Sequence, residues 1–370
     1  MKKLISLLLA ALMVFALCAC GAEEAVEVVE ETAEEVVEEV EAAVEEVAEE
    51  AEEVVEEAAP VESDSNECDA NLDYQSVDLS GLTIGYVTIN SSAPWGGLVG
   101  TSFASYAEEV GAKVNSLDAQ TSVDQVAEYC QQMIDAGVDA LVVFGGDVDG
   151  NSDIAQAAYE AGIPMFMAGL DVSERGREYV ACVVGPDQRQ MTADIAAYIV
   201  DANGTDEDLT VVQINGVPFL EDYIQRCDGF QTYMADYDNY DLSTEPEDCY
   251  SDRTAAYDAM NAWLTQLENV DIVMGYDDDL TMGAVEAIDD AGLTGTIKVY
   301  SLTGQNDAIQ AVADGKMELT VVNRAQDIGA GLVTAIADYM ANGSTTYYQR
   351  TPLTYVDASN VDEWVGQGEF

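Results

Sequence analysis

The 370-residue sequence contains no histidine, and its 12 lysines and arginines stand against 72 aspartates and glutamates. Without histidine, the chain cannot form a histidine-based catalytic triad, a histidine general base or the usual histidine-containing zinc sites. Glycine-rich phosphate-binding motifs are missing as well. We find no set of residues competent for turnover. The sequence therefore predicts a binding protein that is not an enzyme and has no catalytic residues, resident metal or cofactor.

A long apolar run occurs only near the start of the chain. Lys2 and Lys3 precede the apolar stretch 4–17, which has secretory length but is short for a bilayer span. The run Leu17-Cys18-Ala19-Cys20 resembles the lipobox of bacterial lipoproteins, in which the signal is cut before the cysteine that receives the lipid. Residues 1–20 are therefore predicted to be a signal peptide, with Cys20 lipidated and the protein anchored outside the cytoplasm. An ordinary secretory signal is the alternative.

The segment after the signal is strongly acidic. Residues 22–60 are almost entirely Glu, Val and Ala, with 18 glutamates and no lysine, arginine, glycine or aromatic residue. Such a composition cannot build a core. We predict a solvated stalk over residues 21–75, extended or partly helical, because glutamates four apart repel one another in a helix. A coiled coil is the alternative. The acidity argues against nucleic acid as a partner.

From Leu82 onward, short apolar strands alternate with helical stretches. The predicted strands are 82–88, 114–117, 140–144, 164–167, 209–214, 272–274 and 297–301. The predicted helices are 103–110, 123–136, 154–161, 192–201, 223–234, 255–267 and 282–291. This alternation predicts an α/β protein with doubly wound parallel sheets covered on both faces, and the length allows two domains. Ligands of such sheets bind beyond the carboxyl ends of the strands.

The loops that follow five of these strands are rich in small and polar residues. They are 90–97, 145–149, 215–219, 275–279 and 303–307. A polyhydroxylated ligand needs such a lining, because each buried hydroxyl requires a partner, and a sugar ring stacks well on Trp or Tyr. Asp147 is a candidate ligand contact on these grounds. The run 147–154 also resembles the start of a calcium loop, but Ser152 and Ala158 stand where that loop needs Gly and Glu, so helix capping is the simpler reading.

Several segments resemble the type I periplasmic binding proteins of sugar uptake systems, the ribose- and galactose-binding group. The segments are Pro94-Trp95, Leu117-Asp118-Ala119-Gln120, Ile163-Pro164, Gly185-Pro186-Asp187, Arg226-Cys227-Asp228-Gly229-Phe230, the run 276–284 and Thr320-Val321-Val322-Asn323. Their order and spacing along the chain are more specific than any one motif. The resemblance covers residues 82 to about 355.

The resemblance implies two doubly wound parallel-sheet lobes joined by a multi-crossover hinge. The first lobe would contain residues 82–185 and 324–352, and the second 186–323 and 353–370. The implied ligand contacts are Trp95, Gln120, Arg226, Asp277 and Asn323. The implied function is that of a monomer that captures a small polar ligand, a sugar, and delivers it to an ABC permease. Sensing for a receptor or kinase, and binding of a nucleoside or signalling furanone, are the alternatives.

Three departures from the family pattern concern the ligand. Asp277 replaces the usual Asn, Thr303 ends a segment where the family has Gly-x-Asp, and Gly96 replaces the second aromatic residue of the first loop. These changes make common pentoses and hexoses doubtful ligands, although they do not affect the predicted fold.

Five cysteines remain apart from Cys18 and Cys20, and an odd number cannot pair completely within one chain. Export permits disulfides without requiring them. We predict that Cys227 and Cys249 pair under oxidising conditions.

Overall fold

The structure is a computed structural model, and it describes residues 68–218, 220–250 and 252–368. The predicted signal peptide, the lipidation site Cys20 and the predicted stalk up to residue 67 lie outside the described residues. Within the described part of the chain, no helix combines the length and apolar character needed to cross a membrane.

The described residues form thirteen strands and nine α-helices. The strands are β1 (Thr83–Thr88), β2 (Lys113–Asp118), β3 (Ala140–Phe144), β4 (Met165–Ala168), β5 (Val180–Gly185), β6 (Leu209–Asn215), β7 (Tyr240–Asp241), β8 (Glu247–Asp248), β9 (Ile272–Gly275), β10 (Lys298–Tyr300), β11 (Leu319–Val322), β12 (Tyr348–Arg350) and β13 (Thr354–Asp357). The helices are α1 (Pro94–Glu109), α2 (Val123–Asp135), α3 (Val148–Glu160), α4 (Gln188–Asn203), α5 (Glu221–Met234), α6 (Arg253–Gln266), α7 (Asp278–Asp290), α8 (Asn306–Ala313) and α9 (Ala325–Asn342).

The strands assemble into two sheets. The first has the order β12-β5-β4-β3-β1-β2, and all of its pairs are parallel. The second has the order β13-β11-β10-β9-β6-β7, with β8 also on β6, and only β13 is antiparallel. The strand order reverses between β1 and β3 in one sheet and between β6 and β9 in the other. These reversals are the topological switch points at which doubly wound sheets bind ligands.

Each face of each sheet is covered by helices through its own apolar cluster. In the first sheet, α1 and α9 cover one face, and α2 and α3 cover the other. In the second sheet, α6, α7 and α8 cover one face, and α4 and α5 cover the other. Trp263 lies in the second sheet's core and is 7% exposed, as its apolar helical stripe predicts. Coverage on both faces explains why the strands read as continuous apolar runs.

The chain crosses between the sheets three times. It leaves the first sheet after β5 and enters α4, returns after β11 through α9, and crosses again between β12 and β13. The predicted fold class, an α/β protein with two doubly wound parallel-sheet lobes and several crossings, is confirmed.

Helices α1, α3, α4 and α7 begin four or more residues before the apolar pattern predicts. Helix α1 starts at Pro94 instead of Phe103, because Gly96 lets the first turn approach a neighbouring ring: a Cβ there would lie 2.7 Å from Phe144 Cε1. Helices α3 and α7 begin with polar first turns that apolar periodicity does not register. Their N-caps are Asp147 and Asp277. Capping by Asp147, preferred over the calcium loop, is confirmed.

The residues that precede β1 are bonded to the first lobe. The Ala70 amide donates to the Arg350 carbonyl at 3.1 Å, and the Thr334 hydroxyl donates to the Asn71 carbonyl at 2.6 Å. Leu79 is 1% exposed and belongs to the core beneath α1 and α9. The chain is thus attached to the domain at the hinge strand β12.

All five cysteines of the described residues are free thiols, so the predicted pair of Cys227 and Cys249 is wrong. Burial raises the pKa of Cys130, Cys182 and Cys249 to about 12, which keeps these thiols protonated and unreactive. Spacing along the chain did not reveal that Cys249 packs into the core with Ala256 and Met260.

Candidate ligand-binding site

The predicted site residues follow the carboxyl ends of strands at the switch points or beside them. Trp95 follows β1, Asp277 follows β9, and Asn323 follows β11. Parallel strands present their carboxyl ends along one edge of a sheet, so each sheet gathers its own loops.

Trp95 and Asn323 connect the two sheets. Trp95 lies in the first turn of α1, half-buried, and its indole Nε1 donates a hydrogen bond to the backbone carbonyl of Asn323 at 3.1 Å. The indole also packs against Phe144, at the end of β3, with ring centroids 5.9 Å apart and an interplanar angle of 49°. This aromatic pair at the first switch point therefore touches the end of β11 in the second lobe.

The side chain of Asn323 is buried without hydrogen-bond partners. It is 1% exposed, and neither Oδ1 nor Nδ2 has a partner. Buried amides in native proteins are almost always bonded, because an unmade bond costs about 1–3 kcal/mol. An orphaned amide on a residue whose backbone carbonyl holds an indole is what a site for a polar ligand requires.

Arg226 is buried on α5 and holds two loops together. Its Nε donates to Gln188 Oε1 at 2.8 Å and one Nη donates to the Tyr276 carbonyl at 2.9 Å. The other Nη lies 3.9 Å from Asp222 Oδ2, and the guanidinium carbon lies 5.3 Å from the centre of the Tyr223 ring. Arg226 therefore positions the end of β9 as well as supplying charge.

Asp277 stands directly after the carbonyl that Arg226 contacts. Its Oδ1 accepts from the Asp279 amide at 2.9 Å, which caps α7. Burial raises the pKa of Asp277 to about 6, while the positive charge of Arg226 opposes the rise. The carboxylate is ionised at neutral pH and is only partly neutralised by Arg226.

Asp278 ties three strand ends together. It is 0% exposed, and its carboxylate accepts from the Gln305 amide and from the Thr320 hydroxyl, each at 2.9 Å. Burial raises the pKa of Asp278 to about 7. The loops after β9 and β10 and the strand β11 are held in register by this one carboxylate.

Thr303 occupies a strained position at the second sheet's edge. Its φ is 116°, in the region that favours glycine, and it is 4% exposed. Its hydroxyl accepts from the Asp278 amide at 3.3 Å, and the residue bridges to Val322. A β-branched residue at positive φ is rare, and such strain persists where surrounding structure enforces it, often at ligand sites.

In the described residues, no three His, Cys, Asp or Glu side chains are grouped closely enough to hold a metal ion.

A family model described as a periplasmic binding protein domain matches residues 84–344. The chain belongs to this family. Among its relatives, the ribose import binding protein RbsB of Bacillus subtilis (strain 168) is 28% identical over 237 residues, or 64% of this chain and 74% of that protein. The galactofuranose-binding protein YtfQ of Escherichia coli (strain K12) is 23% identical over 246 residues, or 65% of this chain and 76% of that protein.

Solved structures of periplasmic binding proteins share the fold. A galactofuranose binding protein superposes with a TM-score of 0.71 at 21% identity, over 78% of this chain and 98% of that one. A Mycobacterium smegmatis protein in complex with β-D-fucofuranose superposes with a TM-score of 0.70 at 23% identity, over 76% of this chain and 93% of that one. The resemblance to type I periplasmic binding proteins is confirmed.

Of the six predicted ligand contacts, four are linked in pairs by hydrogen bonds and two are separate. Trp95 contacts Asn323, and Arg226 contacts the residue before Asp277. The other two are exposed and bonded within their own turns. The Gln120 amide, at a φ of 51°, donates to Asp118 Oδ1 at 2.8 Å, and Asp147 Oδ2 accepts from the Gly150 amide at 2.6 Å. Ligand contact by any of the six remains a prediction.

Three further residues at the second sheet's edge were not predicted. Asn215, 7% exposed, donates from Nδ2 to Asp248 Oδ1 at 2.9 Å, and its Oδ1 has no partner. Asp222 has a buried Oδ1 without a partner. Tyr250 is 61% exposed with a φ of 50°. Asn215 could have been found from its position at a strand end, and Asp222 from its helical spacing to Arg226. Tyr250 could not, because the two-residue strand β8 before it gives no sequence signal.

Proposed function

We propose that this periplasmic binding protein captures a small polyhydroxylated ligand, a sugar in the broad sense, between its lobes and delivers it to an ABC permease. The observation that carries the proposal is the orphaned, buried amide of Asn323 beside the indole of Trp95. A sugar offers both hydroxyls for the amide and a C–H face for the ring.

The relatives support a carbohydrate ligand. Their names describe import of ribose and binding of galactofuranose, and one solved neighbour with the same fold contains myo-inositol. These ligands share a small ring that carries several hydroxyl groups.

We propose the lobe boundaries given by the family resemblance, with 82–185 and 324–352 in one lobe and 186–323 and 353–370 in the other. The membership of β12 in the first sheet and β13 in the second supports them. A ligand held by loops of both lobes binds best when they close on it, so binding shifts the hinge equilibrium.

We further propose that the protein acts as a monomer outside the cytoplasm, anchored through a lipid on Cys20. The Leu-Cys-Ala-Cys sequence supports the anchor, and the acidic segment after it would hold the domain away from the membrane. Replacement of Cys20 by Ser should release the native protein from the membrane fraction. A mature protein whose N-terminus is unmodified and lies elsewhere would contradict the anchor.

The binding function is tested by recovery of the native ligand. Mass spectrometry of the small molecules released from the purified protein should identify a polyol, and calorimetry should show that the apoprotein rebinds it unchanged. The variant Asn323→Leu removes the orphaned amide at similar volume and should weaken binding at least about tenfold without loss of stability. Asn342→Leu changes an exposed amide on α9 and serves as the control. Conversion of the ligand would indicate an enzyme, and equal affinity in both variants would remove Asn323 from the site.

A further inference from the structure

The second lobe's ligand edge carries more negative than positive charge. Asp222 and Asp277 lie near the buried Arg226, and Asp248 accepts a hydrogen bond from Asn215 at the same edge. Register holds these residues together, because Ile214 pairs with Gly275 and the Tyr276 amide donates to the Ile214 carbonyl at 3.0 Å. Asn215 follows Ile214 on β6, and Asp277 follows Tyr276 just beyond β9.

Arg226 neutralises these carboxylates only in part and donates no hydrogen bond to them. Two of its nitrogens are committed to Gln188 and to the Tyr276 carbonyl, and the third lies 3.9 Å from Asp222 Oδ2, beyond hydrogen-bond distance. The arrangement therefore leaves carboxylate oxygens that still require donors.

Two buried acceptors at this edge have no donor. Asn215 Oδ1 is one, and its orientation is chemically determined, because the carboxylate of Asp248 can only accept and so takes the amide nitrogen. Asp222 Oδ1 is the other. The two residues lie on adjoining segments, because Gly216, which follows Asn215, has room only for hydrogen against the ring of Tyr223, which follows Asp222 on α5. A ligand that donates hydrogen bonds and accepts few would give both of these oxygens the donor that they lack.

The positive charges at the first lobe's strand ends are paired with carboxylates. Arg350, the last residue of β12, has its Nε 3.7 Å from Asp187 Oδ2. The loops 89–93, 118–122, 145–147 and 169–173 contain no lysine or arginine, and the last three each contain an aspartate. Arg175 and Arg177, which follow the last of these loops, are paired with Asp149 and Asp153 and with Asp171 respectively. Both lobes thus present a negative field to the cleft, which raises the local concentration of cations.

Resting on the proposed function, we infer that the ligand carries a primary ammonium group, so that it is an amino sugar or an amino-substituted polyol and not a neutral sugar. An ammonium group has three donors, no acceptor and a positive charge, which match Asn215 Oδ1, Asp222 Oδ1 and the Asp277 carboxylate. Asp277 is the specificity-determining residue, because it adds a carboxylate where the resembled family has an asparagine.

The test compares amino and neutral members of matched pairs. The probes are D-glucosamine with D-glucose, D-galactosamine with D-galactose, and an inosamine with myo-inositol, each titrated by calorimetry at low ionic strength. At least one amino compound should bind at least about tenfold more tightly than its neutral partner, the effect of a charge-assisted hydrogen bond. The compound released from the purified protein should contain an amine nitrogen.

Asp277→Asn should reduce that preference at least about tenfold, and it should fold, because asparagine caps helices as well as aspartate does. The matched control is Asp279→Asn, which removes the same charge from an exposed neighbour paired with Arg253 and should leave the preference unchanged. Thermal unfolding of both variants checks folding.

Each remaining outcome overturns the inference. A neutral sugar that binds as tightly as its amino partner, or a released ligand without an amine, refutes the ammonium group while the sugar-binding function stands. If Asp277→Asn still prefers the amino compound to its neutral partner, the assignment of Asp277 as the specificity-determining residue is refuted. Failure of all six probes to bind, together with release of no polyol from the protein, overturns the inference and the proposed function alike.

Discussion

The ligand-facing edges of the two lobes are built differently. In the first lobe, Gln120 and Asp147 are exposed and bonded within their own turns, and the half-buried indole of Trp95 is the main feature. In the second lobe, Arg226 and Asn323 are buried, and hydrogen bonds link successive strand ends. The comparison supports a site whose polar half is held together by hydrogen bonds within the second lobe, with the indole of Trp95 as the proposed contribution of the first lobe.

The largest effect is expected from the linked residues of the second lobe. Arg226→Ala would leave Gln188 Oε1, the Tyr276 carbonyl and Asp222 without their partner, and it should lower the free energy of unfolding by about 3 kcal/mol as well as weaken binding. Urea unfolding and calorimetry measure the two effects.

The control is Arg175→Ala, which removes an exposed arginine paired with Asp149 and Asp153 in the first lobe. Its effect on the free energy of unfolding should be much smaller than that of Arg226→Ala, because solvent screens an exposed ion pair. Equal costs for the two arginines would mean that the second lobe's edge is no more rigid than the first.

Two variants of Trp95 separate the effect of ring stacking from that of the hydrogen bond between the lobes. Trp95→Ala loses both and should weaken ligand binding by about 2 kcal/mol, whereas Trp95→Phe keeps an aromatic face and loses only the bond to the Asn323 carbonyl, about 1 kcal/mol. Calorimetry on both variants measures the two losses of binding free energy. Identical losses would show that the hydrogen bond between the lobes, not the ring, matters for affinity.

The buried Asp278 should make stability depend on pH. Its pKa is raised from about 3.9 in the unfolded chain to about 7, so the folded state holds the proton more tightly between these values. The free energy of unfolding should therefore fall as pH rises from 4 to 7, at up to about 1.4 kcal/mol per pH unit for one proton, and level off above 7.

Asp278→Asn should flatten this decline between pH 6 and 7, where the pKa of about 6 leaves Asp277 largely ionised. Chemical denaturation at a series of pH values measures the slopes. A variant that keeps the parental slope in this interval would place the responsible proton elsewhere.

The smallest effects are expected from the separate residues of the first lobe. Asp147→Ala removes the N-cap of α3 and should cost about 1 kcal/mol of stability, with affinity changed less than about threefold. Gln120→Gly relieves a positive φ and should leave stability equal or higher. Thermal unfolding and calorimetry measure both. A tenfold loss of affinity in either variant would make the two lobes equal partners in polar recognition.

Much of the fold could be predicted because its strands and helices have clear apolar periods. The starts of α1, α3 and α7 could not, since the polar first turns of α3 and α7 and the glycines of α1 carry no apolar period. The candidate site was only partly accessible. Strand-end position pointed to Trp95 and the family resemblance to Asn323, but no pattern shows that one donates to the carbonyl of the other across more than two hundred residues.

The sequence by itself determined the class of the molecule. Alternating apolar strands and helices required covered parallel sheets, the absence of histidine excluded histidine-based catalytic and zinc sites, and the ordered motifs resembled one family. Only the tertiary structure decided which polar groups are satisfied. Asn215, Asp222 and Asn323 read as ordinary loop and helix residues until packing buries them, and whether a buried amide or carboxylate has a partner depends on atoms that distant strands bring within 3 Å.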